Sequence, residues 1–216
     1  MTNTPQLSLE ALATSDATAS AARGMLGTVL ACAGTAGVIV ETEAYHQSEA
    51  SCHAHKGPTP RSMGLFGTPG SAYVYFTYGM HWCFNVVTSP EGIGAAVLIR
   101  AVIPVHGIEL MHARRQRPAA KPLRDVDLCS GPAKLTQAME IASHHNARDV
   151  LSDATTLEEL LEESAEGPRI GRIAHIPGHD DLDQTVLVGP RIGISAAQDL
   201  PWRFGYTTPY LSKRFA

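Results

Sequence analysis

The stretch Tyr73–Asn85, YVYFTYGMHWCFN, gathers three tyrosines, two phenylalanines and a tryptophan into a chain that is only 6% aromatic. It reads as two strands around a turn at Tyr78-Gly79, because glycine between two aromatic, strand-prone runs marks a hairpin. A hairpin makes its strands antiparallel. It also places a tyrosine at the tip of a turn, where core packing has no use for one.

Upstream, Gly37–Tyr45 (GVIVETEAY) is β-branched and alternating, the pattern of a strand. The alternation puts Ile39, Glu41, Glu43 and Tyr45 on one face and Val38, Val40, Thr42 and Ala44 on the other. Between these strands, His46–Gly70 is rich in Gly, Pro and Ser and reads as a long irregular loop, a length that usually signals function. Downstream, Ser89–Gly92 (SPEG) is a turn and Ala95–Val102 a further strand. Later strands are expected in RIGRIAHI, QTVLVGPRIGI and the tail PWRFGYTTPYLSKRF.

Helices are expected over most of Ser8–Leu30, over Gly107–Arg117, and over the acidic Leu157–Ser164. A fourth is expected over Cys129–Ile141, with Ser130 as its cap and Pro132 in its first turn. Strands and helices mix without regular βαβ alternation. The expected fold is therefore α+β, a single compact domain with a largely antiparallel sheet. Residues 1–7 read as a flexible tail before one domain over residues 8–216.

The chain has 216 residues, enough for a sizeable core. No apolar run is long enough to cross a bilayer, and the N-terminus lacks the basic and apolar regions of a secretory signal. Four widely spaced cysteines, Cys32, Cys52, Cys83 and Cys129, read as buried thiols of a cytoplasmic protein. Net charge is −4, but residues 150–185 carry nine acids against two arginines, which leaves twelve acids and fifteen bases elsewhere. The bases gather at Arg114, Arg115, Arg117, Lys121 and Arg124, which suits either a polyanionic partner or a solvated basic helix face.

Several residues could carry chemistry. Glu41 and Glu43 on one strand face could diverge in acidity if one is buried, or could simply be the charged side chains of an edge strand. Arg100, set among aliphatic residues, requires a carboxylate partner, with Glu43 or Glu41 the natural choices. Ser51–His55 (SCHAH) invites a metal reading, but no second ligand pair with zinc-type spacing accompanies it, so His53 and His55 read better as the lining of a site or as loop residues. Ser130–Leu135 (SGPAKL) could hold an anion at a helix start or be plain capping.

Taken together, VETEAY, TPRS, YVYFTYGMHWCFNVV, AVLIRA, LCSGPAKL and the closing PWRFGY and PYLS resemble the alkyladenine (3-methyladenine) DNA glycosylase family of the mammalian type, which also has bacterial members. The blocks fall in family order from Val38 to Ser212. The resemblance implies a monofunctional base-excision enzyme that acts as a monomer on double-stranded DNA containing damaged purines, without metal or cofactor. It flips the damaged nucleotide out of the duplex and hydrolyses its N-glycosidic bond. It implies a curved sheet with surrounding helices and a protruding, DNA-intercalating hairpin. Glu43 matches the general base and Arg100 the arginine that holds it. Tyr45, His53 and Tyr75 match the walls of the base pocket, and Asn85 the residue that crowds the amino group of guanine. Tyr78 matches the wedge that fills the gap in the stack, with Met80 beside it, and Arg61 and Lys134 match phosphate contacts. Thr208 stands where the family usually has Asn or Ser. Two other readings remain: a non-catalytic nucleic-acid-binding module on the same scaffold, and a metal hydrolase built on CHAH.

Overall fold

The computed structural model describes residues 13–77, 79–116, 121–179 and 182–215. Its frame is a curved sheet with the strand path β3 (Ala72–Thr77), β4 (His81–Val87), β5 (Ala95–His106), β2 (Thr35–His46), β1 (Val29–Cys32) and β6 (Arg169–Gly171). Off this path, β8 (Arg203–Tyr206) pairs with β2, and β7 (Val186–Gly189) pairs with β8. All these strand pairs are antiparallel. The expected α+β class and antiparallel sheet are therefore present.

β2 is the spine of the sheet. β5 covers one of its edges, while β1 and β8 divide the other, β1 beside Thr35–Val38 and β8 beside Glu41–Glu43. Every residue of β2 except Tyr45 is buried. This overturns the edge-strand alternative: Glu41 and Glu43 sit at the centre of a sheet and cannot turn to water. The shared face needs one correction. The register with β5 shifts between Ile39 and Glu41, so Ile39 is separated from the acidic row and belongs to the hydrophobic core.

The first described helix ends earlier than expected, while the expected tail over residues 1–7 and the helix start at Ser8 lie outside the described residues. Among the described residues α1 spans Ser15–Gly24, with the Ala17 N–H donating to Thr14 Oγ1 at its start. Leu30 lies in a strand instead. The chain leaves the helix because the Gly27 N–H donates to Ile39 O at 2.8 Å, drawing it onto the sheet. β1 then returns into β2 through Ala33-Gly34, both at positive φ (48° and 74°). That is the two-residue turn that matches strand twist, made here with Ala in place of the usual Asn or Asp.

Helices α2 (Ile108–Arg115), α3 (Pro132–Ala138) and α4 (Leu157–Glu163) complete the fold. Ser130 does not cap α3. Gly131 holds that position, while Ser130 bridges to Ala101 of β5 and its hydroxyl accepts from Lys134 Nζ at 3.1 Å. α3 is fastened to the hairpin by Thr136 Oγ1, which donates to Trp82 O at 3.0 Å. The core is made of Phe84, Leu30, Ile39, Ile99, Met111, Leu128 and Leu135, all fully buried, each burial stabilising the fold by about 1.5–3 kcal/mol. No helix among the described residues is long and apolar enough to cross a membrane.

The β3–β4 hairpin closes with the Thr77–His81 pair, and the Met80 N–H donates to Thr77 O at 3.1 Å. Gly79 has φ +66°, the left-handed geometry that the glycine was expected to provide. Tyr78 lies outside the described residues.

Candidate active site

Residues opposite one another in antiparallel strands share a face. Register therefore assembles the site. Tyr73 faces Asn85, Asn85 faces Leu98, Leu98 faces Glu43 and Glu43 faces Arg203, one row across five strands. A parallel row carries Tyr75 opposite Cys83. Over these rows lies a cavity of ≈ 510 Å³. Its walls include Tyr45, His53, Tyr75, Asn85 and Arg100, five residues that the sequence assigned to one site. Pro132 and Ala133 of α3 and the segment Ile192–Ala196 complete it.

Glu43 lies directly behind this wall and is wholly buried. Its Oε2 accepts from Tyr45 Oη (2.8 Å) and Arg100 Nη1 (3.1 Å), and its Oε1 accepts from the Ile192 N–H (2.7 Å). All three donor residues line the cavity. Glu41, also wholly buried, is held differently. Oε1 accepts from Arg100 Nε (2.9 Å), Arg203 Nε (2.8 Å) and Ser212 Oγ (2.6 Å), while Oε2 accepts from the Ser212 N–H (2.6 Å). Arg100 thus bonds to both carboxylates. Two carboxylates and two guanidiniums cancel in charge, which is how a sheet centre tolerates four ions.

A carboxylate offers about four acceptor positions. Among the described residues Glu41 takes four donations, three on Oε1 and one on Oε2, and Glu43 takes three, two on Oε2 and one on Oε1, so each acid has one oxygen with a single donor. The two acids are distinguished by placement: Glu41 ties strands and tail together through Arg203 and Ser212, and Glu43 is held by three residues that all line the cavity. Burial disfavours charge on Arg100, but Glu43 and Glu41 outweigh it and raise its pKa, so it stays cationic. Burial, reinforced by Glu43, pushes the Tyr45 phenol well above its usual range, so it remains a proton donor.

His53 is the histidine of the cavity wall. Both histidines are exposed overall, but His53 lines the cavity, whereas His55 does not and its Nδ1 lies 3.0 Å from Gln47 O. Tyr73 Oη donates to Arg61 O at 3.0 Å, so the 3.1 Å contact between His53 Nδ1 and Tyr73 Oη has the ring nitrogen as donor. The neutral ring then leaves Nε2 as an acceptor. Burial and the nearby Arg61 charge both lower the His53 pKa, favouring that neutral ring. The His53 ring meets Tyr75 edge-on at 4.6 Å, and Tyr73 lies 5.3 Å from Tyr75. Tyr73, to which the resemblance assigns no role, is also a wall residue. Asn85 Nδ2 donates to Tyr73 O at 3.0 Å, which fixes its amide.

The SCHAH side chains do not converge. Cys52 Sγ accepts from the Ala54 N–H, and the two histidines point to different partners. No group of three or more potential metal ligands occurs among the described residues. The thiols of Cys32, Cys52 and Cys129 are each pushed by burial up to about 12.

On the β3–β4 hairpin, Met80 is 69% and Phe76 44% exposed. The exposed Arg61 guanidinium lies 5.5 Å above the Tyr75 ring. Lys134 stands on α3 with its ammonium on Ser130. The basic cluster is divided where it is described: Arg114 and Arg115 are partly buried and spend donors on backbone carbonyls, whereas Lys121 and Arg124 are exposed. Arg114 donates to Ala33 O and Ala138 O and pairs with Glu140, Arg115 donates to Asp127 O and Leu128 O, and Arg124 pairs with Asp127. Arg117 lies outside the described residues.

Sequence reasoning missed Arg191, Arg203 and Glu49. Arg191 is buried, donates to Glu49 Oε1 at 2.7 Å and stacks over Tyr45 at 4.7 Å. The only local signal was a lone arginine in an expected strand.

Comparison with known proteins identifies this arrangement. Residues 12–209 match the model of the family described as methylpurine-DNA glycosylase (MPG). Relatives named "Putative 3-methyladenine DNA glycosylase" share 43% identity over 196 residues in Bradyrhizobium diazoefficiens, covering 90% of this chain and 85% of that one. Similar relatives of the same name share 45% over 182 residues in Burkholderia orbicola (83% and 78% covered) and 43% over 180 residues in Carboxydothermus hydrogenoformans (82% of each). These matches define the class as that of a DNA glycosylase. Within that class, the chain belongs to the methylpurine-DNA glycosylase family.

Proposed function

We propose that the protein excises damaged purines (3-methyladenine, 7-methylguanine, hypoxanthine and ethenoadenine) from double-stranded DNA, with Glu43 as general base. The nucleotide flips into the cavity, where Tyr45, Tyr75 and His53 enclose the base. Stacking on such rings stabilises by about 1–3 kcal/mol per base. Glu43 takes a proton from a water whose oxygen bonds to C1′. The N-glycosidic bond breaks, and its electron pair leaves with the base. The sugar develops oxocarbenium character, which the Glu43 charge stabilises. A base alkylated at N3 or N7 is already cationic and leaves readily. Hypoxanthine is neutral and requires a proton on departure.

The observation that carries this reading is the contrast between the two acids. All three hydrogen-bond donors of Glu43 line the cavity, whereas two of the three residues that hold Glu41, Arg203 and Ser212, do not. Asn85 would exclude guanine by crowding its exocyclic amine. Met80, together with Tyr78, would enter the stack from the minor groove. Arg61 and Lys134 would meet phosphates. The test is incubation with a hypoxanthine-containing duplex followed by alkali. Strand cleavage at the lesion reports abasic sites and supports the reading, whereas binding without cleavage would make the protein a non-catalytic binder.

A further inference from the structure

We propose that Arg191 is a positioning residue for Glu43, acting by clamping the Ile192–Ala196 wall onto β2 and onto the turn that follows it. The inference rests on the Glu43 reading above. Oε1, the carboxylate oxygen with open acceptor capacity, has one protein donor among the described residues, the Ile192 N–H at 2.7 Å. The position of that N–H is set by the residue before it.

Arg191 is anchored through both terminal nitrogens, while its buried Nε has no hydrogen-bond partner among the described residues. Its side chain is 0% exposed. Nη1 donates to Ala44 O (3.0 Å) on β2 and to Glu49 Oε1 (2.7 Å), and Nη2 donates to Ala197 O (3.2 Å) at the far end of the wall segment. The guanidinium lies 4.7 Å from the Tyr45 ring centroid and 5.3 Å from that of Trp202. Glu49 passes the restraint on: its Oε2 accepts from the Ser51 N–H (2.7 Å) and hydroxyl (2.6 Å), and Ser51 lines the cavity. One guanidinium therefore joins two walls of the cavity to the strand that carries Glu43. Ala197 is held at φ +49°, a left-handed geometry that alanine avoids unless its surroundings impose it, and its carbonyl is one of the Arg191 acceptors. The planar fork is needed because its donors reach three acceptors while its faces stack, and a lysine ammonium cannot do both.

Arg191 does not itself line the cavity, so its effect should fall on the chemical step. Single-turnover excision of hypoxanthine, with protein in excess, separates this from a loss of folded protein, because the rate constant at saturation does not depend on the folded fraction. Displacements of about 1 Å can cost about a hundredfold in rate. Arg191→Lys is expected to lower the rate constant by about ten- to a hundredfold while affinity for the lesion duplex changes by less than about threefold. Glu49→Gln, which weakens the same clamp from the other end, is expected to lower the rate by a smaller factor with the same preserved affinity. A rate constant within twofold of the unsubstituted protein in both variants overturns the proposal, and so does a loss of affinity equal to the loss of rate. Glu43→Gln is run alongside. If it keeps excision, the Glu43 reading fails, whereas if it is inactive and Arg191→Lys is unimpaired, only the clamp fails.

Discussion

Arg100 donates to Glu43 from 3.1 Å with the two side chains 7% and 0% exposed, so the pair is held out of bulk water. The same guanidinium also serves Glu41 at 2.9 Å. Arg100→Met therefore leaves two buried carboxylates to Arg203 and neutral donors. It is expected to lower unfolding stability by about 3–5 kcal/mol, measured by urea denaturation. A loss under about 1 kcal/mol would show that the pairs are not sustained in solution.

The two acids should separate by readout. Glu41→Gln disturbs four donors that tie β2, β5, β8 and Ser212 together, so its main effect is expected in the urea midpoint. Glu43→Gln is expected to cost less stability and far more excision. A Glu41→Gln protein that is as stable as the unsubstituted chain but inactive would reverse the assignment.

The hairpin and β2 were legible because their signals are local. Alternation in Gly37–Tyr45 and the aromatic run around Gly79 follow from side-chain periodicity. β1 was not legible. Its turn is Ala33-Gly34, which lacks the Asn or Asp that marks such turns, and Val29–Cys32 follows directly on an alanine-rich helix. Five wall residues were found through resemblance, four of them carried by strands of the sheet and His53 by the loop that follows β2. The Glu41 network was not found, because Arg203 and Ser212 are 162 and 171 residues away in sequence and only pairing of β8 with β2 brings them near. Arg191 gave no spacing signal for the same reason.

The His53 tautomer is a direct consequence of the Tyr73 hydroxyl donating elsewhere. Nitrogen-15 shifts of His53 are expected to show Nδ1 protonated and Nε2 bare near neutral pH. In Tyr73→Phe that preference should be lost. The opposite tautomer in the unsubstituted protein would contradict the hydrogen-bond chain.

His145 provides a pH test of stability. It is buried, and its Nδ1 accepts from the Ala142 N–H at 3.2 Å, so the folded chain requires the neutral ring. Burial, with help from His144 and Arg148, lowers its pKa to about 4 from an ordinary value of 6.5. Below 6.5 the unfolded chain binds the proton that the folded chain refuses, so stability falls as pH drops from 6.5 toward 4. His145→Gln is expected to flatten that part of the stability–pH curve. An unchanged slope would mean that His145 is solvated.

The central claim is that Glu43 activates the water. Its most direct measurement is single-turnover release of hypoxanthine from duplex DNA by Glu43→Gln, with lesion binding measured on the same preparation. General-base catalysis contributes about 10²–10⁴-fold, so excision is expected to fall by that factor while the lesion duplex is still bound. Excision within tenfold of the unsubstituted protein would contradict the account.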